Sequence, residues 1–251
     1  MLSLDTALVS HIGDRADNQD RAEILITDES VFAVVADGMG GHAKGDLAAE
    51  TAVVNLLDEF RLNQHHQKDP ESFFRSALAR AQKEVLALGQ GMPATSRPGA
   101  MVVCVLIHND ILYWAHIGDS RTYHLRGTRL LARTRDHTMV EALVSAGEIT
   151  PVEALTHPER HLVEYCLGVD DGMPLDTIDA PRTLARGDTV LLCTDGLWAQ
   201  LDETFLLQSL ASADDLEQNL EQLVTQAVEC GRGMSDNVTA IALRVLAEED
   251  E

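Results

Sequence analysis

The chain has 251 residues, of which 45% are hydrophobic, and 41 acidic side chains against 19 basic ones give a formal charge of −22. A sizeable core is therefore available, while a nucleic-acid partner is excluded, because such binding rests on phosphate neutralisation by Lys and Arg. The longest apolar run, Met101 to Ile107, is far too short for a bilayer span, and no basic stretch leads into an apolar one at the N-terminus, so no membrane partner, no secretory signal and a cytoplasmic location are expected. Most of the acidity reads as a solvated surface, the tail Glu248-Glu249-Asp250-Glu251 included.

In chain order, Val31–Asp37 is a continuous apolar run and predicts a buried strand, followed by a glycine-rich loop. Ala48, Ala52, Val53, Leu56, Leu57 and Phe60 then recur at helical spacing. A second helix is predicted from Pro70, with Phe74, Ala77, Leu78, Ala81, Val85 and Leu88 on one face. Residues 89–99 have loop composition. Met101–Ile107 and Ile111–Asp119, joined by His108-Asn109-Asp110, predict a hairpin, and Arg121–Arg126 with Thr128–Arg133 predict another around Gly127. Residues 136–185 are irregular and carry Pro151, Pro158, Pro174 and Pro181. Asp188–Gly196 reads as a strand ending in a turn, Leu216–Val228 as an amphipathic helix, and Asn237–Leu246 as a last strand. Strands joined by short turns, with helices clustered between them, place the chain in the α+β class as one domain over residues 1–251. The widely spaced cysteines 104, 166, 193 and 230 contain no C-x-x-C pair, which argues against structural zinc or a redox motif.

The segment Asp37-Gly-Met-Gly-Gly-His-Ala-Lys-Gly45 admits three readings: a dinucleotide fingerprint, a degenerate phosphate loop, or a cation site. A carboxylate at Asp37 would repel the pyrophosphate that the first two require, and it is what the third requires. The arrangement recurs: Asp119 closes one strand, Asp195-Gly196 closes another, Asp236 precedes the last, and Asp20 adjoins a first strand. If these strands are neighbours in one sheet, the carboxylates converge on one edge, a proximity that bound cations make favourable. The lack of His and Cys at these positions favours Mg2+ or Mn2+ over zinc or copper.

Taken in order, Arg15-Ala-Asp-Asn-Gln-Asp20, Val35–Gly45, Gly118-Asp-Ser-Arg121, Asp136-His-Thr, Gly147-Glu-Ile-Thr150, Cys193-Thr-Asp-Gly-Leu-Trp198 and Ser235-Asp-Asn-Val-Thr239 resemble the motifs of the metal-dependent serine/threonine protein phosphatase family (PPM, type 2C), its small bacterial members in particular. The resemblance runs nearly end to end. It implies a four-layer α-β-β-α sandwich of two antiparallel sheets flanked by helices, with the metals in a cleft at one end. It implies two Mn2+ or Mg2+ ions per site, Asp37 bridging both, the Gly38 carbonyl on one of them, Asp195 and Asp236 completing the other, and Asp20 acting through water. Asp119 matches the position of a third, weaker ion, and Arg15 the arginine that grips the substrate phosphate through its planar fork. His42 is a candidate to protonate the leaving alkoxide, since an imidazole titrates near neutrality.

The implied reaction is hydrolysis of phosphoserine and phosphothreonine by a water acidified between the two cations, without a covalent phospho-enzyme. The implied partners are phosphorylated proteins made by a serine/threonine kinase, and the enzyme is expected to act as a monomer. Gln19 stands where many members carry a metal-associated glutamate, and Pro98-Gly99-Ala100-Met101 replaces a common Gly-Thr-Thr. Residues 136–185 are expected to form a flap-like insertion that governs which phosphoproteins are accepted. A catalytically weak phosphoprotein-binding module of the same fold is the alternative, and a nucleotide-dependent enzyme would leave the aspartates outside the glycine-rich loop unexplained.

Overall fold

The computed structural model describes residues 3–40, 44–62, 68–160, 162–169, 176–177, 181–211 and 215–246. Two antiparallel sheets lie face to face. The first has the order β1 (Leu4–His11), β11 (Val238–Val245), β10 (Asp188–Cys193), β6 (Arg121–Arg126), β7 (Arg129–Arg133). The second runs β2 (Asp20–Ile26), β3 (Ser30–Met39), β4 (Gly99–His108), β5 (Ile111–Ile117), and the two-residue strands β8 (Asp176–Thr177) and β9 (Arg182–Thr183) both pair with β5.

The unbroken apolar runs find their explanation in the layering. Successive side chains of a strand point to opposite faces, and here both faces are covered. Phe32, Val34 and Ala36 of β3, with Val102, Cys104 and Leu106 of β4, pack against α1 (Gly45–Leu62) and α2 (Pro70–Leu88). The alternate residues Val31, Ala33, Val35, Val103, Val105 and Ile107 meet Val190, Leu192, Ile241 and Leu243 of the first sheet. The outer face of that sheet, including Ala240 and Ala242, is covered by α5 (Asp195–Trp198), α6 (Glu203–Leu210) and α7 (Leu216–Cys230). The result is the expected α-β-β-α order of layers.

Local chemistry starts and ends these elements. Asp69 caps α2 by accepting from the Ser72 N–H at 3.0 Å, with Pro70 in the first turn, where its missing N–H costs nothing. Phe60 stacks on Phe32 with centroids 5.1 Å apart and Phe73 meets Phe32 edge-on at 5.6 Å, contacts that add about 1 kcal/mol each beyond their area. The β4–β5 turn places Asn109 and Asp110 at φ 49° and 62°, the left-handed pair that a tight hairpin needs.

Three boundaries differ from the sequence reading. β1 was not anticipated, because only Ala7 of its eight residues is buried and an edge strand of that kind lacks a clear alternation. β3 extends through Met39, so Asp37 lies inside the strand instead of at its tip. The segment after β10 is not a simple turn: Asp195 opens the one-turn helix α5.

Candidate metal centre

Asp20 is the first residue of β2 and is the cross-strand partner of Asp37 in β3. Gly38 follows, still paired with Ala100 of β4. Asp119 lies just beyond β5, Asp195 begins α5 directly after β10, and Asp236 lies just ahead of β11. The condition that these strands be neighbours in one sheet is therefore not met, although the carboxylates still converge. Asp20 and Asp37 belong to the second sheet, Asp195 and Asp236 to the ends of strands in the first, and Asp119 to the connection from β5 to β6 that crosses between them. Facing sheets bring both groups to one end of the sandwich, an arrangement that strand patterns alone do not reveal.

A direct link joins the two sheets there. The Thr194 hydroxyl, one residue before Asp195, donates to Asp20 Oδ2 at 3.0 Å, and both residues are buried. Burial raises the Asp20 pKa to about 7 against the pull of hydrogen bonds from Thr239 and Thr194, and the charges of Asp195 and Asp236 add to the rise. Asp37 is held well above the usual carboxylate range, first by burial and then by the charges of Asp20, Asp195, Asp119 and Asp236. Burial followed by Asp195 and Asp136 raises Asp119 to about 7; burial followed by Asp236 raises Asp195 to about 6. Burial is the first cause in each of the four, and the charges of neighbouring carboxylates add to it.

The donor set fits hard divalent cations. Oδ1 of Asp119 and Oδ1 of Asp195 are buried with no hydrogen-bond partner among the described residues, a costly condition that a cation removes. All the candidate donors are oxygens. Among the described residues no group of three or more His, Cys, Asp and Glu side chains is placed to hold a metal ion by itself, so an ion here would need backbone carbonyls and water to complete its shell, as Mg2+ commonly does. The backbone packs tightly at Gly38: a Cβ on it would stand 2.0 Å from the Gly45 carbonyl oxygen, so no other residue fits.

Arg15 sits in the β1–β2 loop with its side chain 59% exposed, and its Nη2 donates to Asp236 Oδ2 at 2.7 Å. On the opposite flank, Arg121 grips Asp136 through two bonds of 2.8 and 2.6 Å and lies 3.5 Å above the Trp198 ring. The Trp198 indole N–H donates to the Asp119 carbonyl at 3.0 Å. Since Trp198 and Asp195 share the single turn of α5, this bond ties the two carboxylate-bearing segments together. Arg121, stacked on Trp198, thereby braces the turn that carries Asp119.

His42 lies outside the described residues. Thr194, Asn237, Asp14 and Ser235 hold the site together; Thr194, Ser235 and Asn237 lie within the motifs named above without a role of their own, and Asp14 has no signal in the sequence. The segment that leaves the site contains α3 (Met139–Ser145) and α4 (Pro151–Ala154), the latter closed by a reciprocal Thr150–Glu153 cap. It returns through paired backbone bonds between Ala100 and Leu167 and through the Gln82 side chain, which accepts from Gly168 N–H and donates to the Val169 carbonyl, both at 2.8 Å.

Comparison with known proteins bears on this geometry. The chain is 31% identical over 250 residues to the protein phosphatase PhpP of Streptococcus pneumoniae, covering 98% of this chain and 99% of the relative. A serine/threonine phosphatase of S. agalactiae superposes with a TM-score of 0.87 at 27% identity, covering 97% of this chain and all of the other. The catalytic domain of the serine/threonine protein phosphatase PstP, solved in complex with two manganese ions, superposes with a TM-score of 0.78 at 29% identity over 98% of this chain and 100% of that one. The family model described as protein phosphatase 2C matches residues 9–240, and the chain belongs to that family.

Proposed function

We infer that this protein is a metal-dependent serine/threonine protein phosphatase, hydrolysing phosphoserine and phosphothreonine in other proteins. The observation that carries the reading is the convergence of Asp20, Asp37, Asp119, Asp195 and Asp236 from both sheets at one end of the sandwich, where burial first, and neighbouring carboxylate charges after it, raise the pKa of Asp20, Asp37, Asp119 and Asp195. Such a cluster is unfavourable in a structural role and favourable around cations.

In this reading Asp37 and the Gly38 carbonyl, with Asp195 and Asp236, hold two ions, Asp20 acts through water, and Asp119 attends a third, more weakly held one. The PstP domain with its two manganese ions supports Mn2+ as the cation, with Mg2+ the alternative. When bound, the cations supply Lewis acidity toward the phosphoryl oxygens and a water acidic enough to react at neutral pH. Arg15 presents a planar, exposed guanidinium to the substrate phosphate, orienting it and offsetting charge that develops on its oxygens. Asp20 is held in place by Thr194 within the packed junction of the two sheets. His42 is retained as the candidate proton donor to the leaving alkoxide.

Residues 1–251 act as one phosphatase domain, as a monomer in the cytoplasm, opposing a serine/threonine kinase. Residues 136–185 select among phosphoproteins; the exposed Val152 of α4 and Leu155 just after it give this segment an apolar contact surface. Among the described residues no helix is long and apolar enough to cross a membrane.

Phosphate release from a phosphothreonine peptide tests the reading. Turnover should appear with Mn2+ and vanish with EDTA. Cation-dependent peptide binding without release would instead identify the catalytically weak binding module.

A further inference from the structure

The loop that carries Arg15, residues 12–19, has no regular secondary structure of its own, so no β-ladder fixes its shape. Its backbone groups must find partners elsewhere. Three of them find the same one. Asn237 Nδ2 donates to the carbonyls of Ile12 and Asp17 at 2.8 and 3.0 Å, and Asn237 Oδ1 accepts from the Gln19 N–H at 2.8 Å. The amide orientation follows from these partners, since two carbonyls require a donor and one N–H requires an acceptor. Asn237 is 6% exposed, and the groups it satisfies lie on both sides of Arg15 in the chain.

The same side chain connects the halves of the candidate site. Asn237 follows Asp236, whose carboxylate receives both the Asn237 N–H and Arg15. The Gln19 peptide, held by Asn237 at its N–H, accepts the Gly38 N–H at its carbonyl. One amide therefore sets the Arg15 loop relative to Asp236 in one sheet and Gly38 in the other.

We propose that Asn237 is a positioning residue for the phosphate-binding arginine: it sets where the Arg15 guanidinium stands, and touches neither substrate nor cation. This rests on the reading of Arg15 given above. Asp14, which accepts from the Ser235 N–H and hydroxyl at 2.8 Å each and donates its own N–H to the Ser235 carbonyl, closes the tip of the same loop, and Asn18 is held by Ser10 and Arg21; Asn237 is the side chain that bonds the loop on both sides of Arg15.

A double-mutant cycle on the full chain tests this. Asn237→Ala, Arg15→Ala and their combination are compared by KM and kcat on a phosphothreonine peptide, by the inhibition constant of inorganic phosphate, and by Mn2+ affinity from calorimetry. Asn237→Ala should raise KM and the phosphate constant about tenfold, change Mn2+ affinity less than about twofold, and add nothing to either constant in the Arg15→Ala background. Asn237→Asp, nearly isosteric but lacking the two donors, should behave alike and serves if the alanine variant does not fold. Multiplicative effects in the double variant would overturn the proposal, as would a loss of Mn2+ affinity as large as the rise in KM. An unchanged KM and phosphate constant in Arg15→Ala would overturn the reading of Arg15 itself, and the proposal with it.

Discussion

Asp20 and Asp37 stand directly opposite each other across β2 and β3, two carboxylates in one cross-strand pair of a packed sheet. Like charges so placed weaken a strand pair, yet Asp20 is also fastened to the other sheet by Thr194. The site therefore holds repulsion in place with the rigidity of the fold. Asp20→Asn keeps the acceptor for Thr194 and removes one charge. In EDTA it should raise the melting temperature, by an amount on the order of 1–2 kcal/mol in stability, and with saturating Mn2+ it should lose that advantage. A lower melting temperature in EDTA would show that Asp20 is not under repulsion.

Asp37→Asn and Asp195→Asn remove charge and almost no volume. Each should cut kcat by about 10²–10³-fold or more while circular dichroism remains that of the native fold. Near-native kcat at saturating Mn2+ would remove that residue from the metal centre.

The other end of the sandwich supplies a pH test. His124 is buried, and its Nε2 pairs with Asp188 Oδ2 at 2.9 Å, while Arg126 also binds Asp188. Burial lowers the His124 pKa below 6.5; Asp188 opposes the shift, and Arg182 and Arg126 reinforce it. The unfolded chain thus takes up a proton near pH 6.5 that the folded one resists. The resulting contribution to stability is complete above that pH and declines as pH falls below it. His124→Gln, which can still donate to Asp188, should flatten the melting-temperature profile between about pH 6.5 and pH 5. An identical slope in both proteins would refute this assignment.

Val152 in α4 and Leu155 just after it are about three-quarters exposed, so Val152→Ser and Leu155→Ser should alter stability by less than about 0.5 kcal/mol. They should change kcat/KM on phosphoproteins while leaving hydrolysis of p-nitrophenyl phosphate unaffected. Equal loss on both substrates would assign the segment to folding instead of selection.

The strands and helices with strong patterns were legible in the sequence, because period and composition report burial directly. Val31–Asp37 had to lie between two covered faces, and Phe74 through Leu88 had to form one helical face. The carboxylates were legible too, as a recurrence of aspartates at the ends of apolar runs. Their convergence followed only on the condition that the strands share a sheet, or through the family resemblance, because a one-dimensional pattern states which face of a strand is buried but not which sheet the strand joins. Only the stacking of the sheets set Asp20 against Thr194 and carried Asp195 and Asp236 to the same end as Asp37. The supports were hidden for a related reason. Asn237 and Asp14 act on backbone groups more than two hundred positions away, where hydrogen-bonding partners leave no periodic trace in the chain.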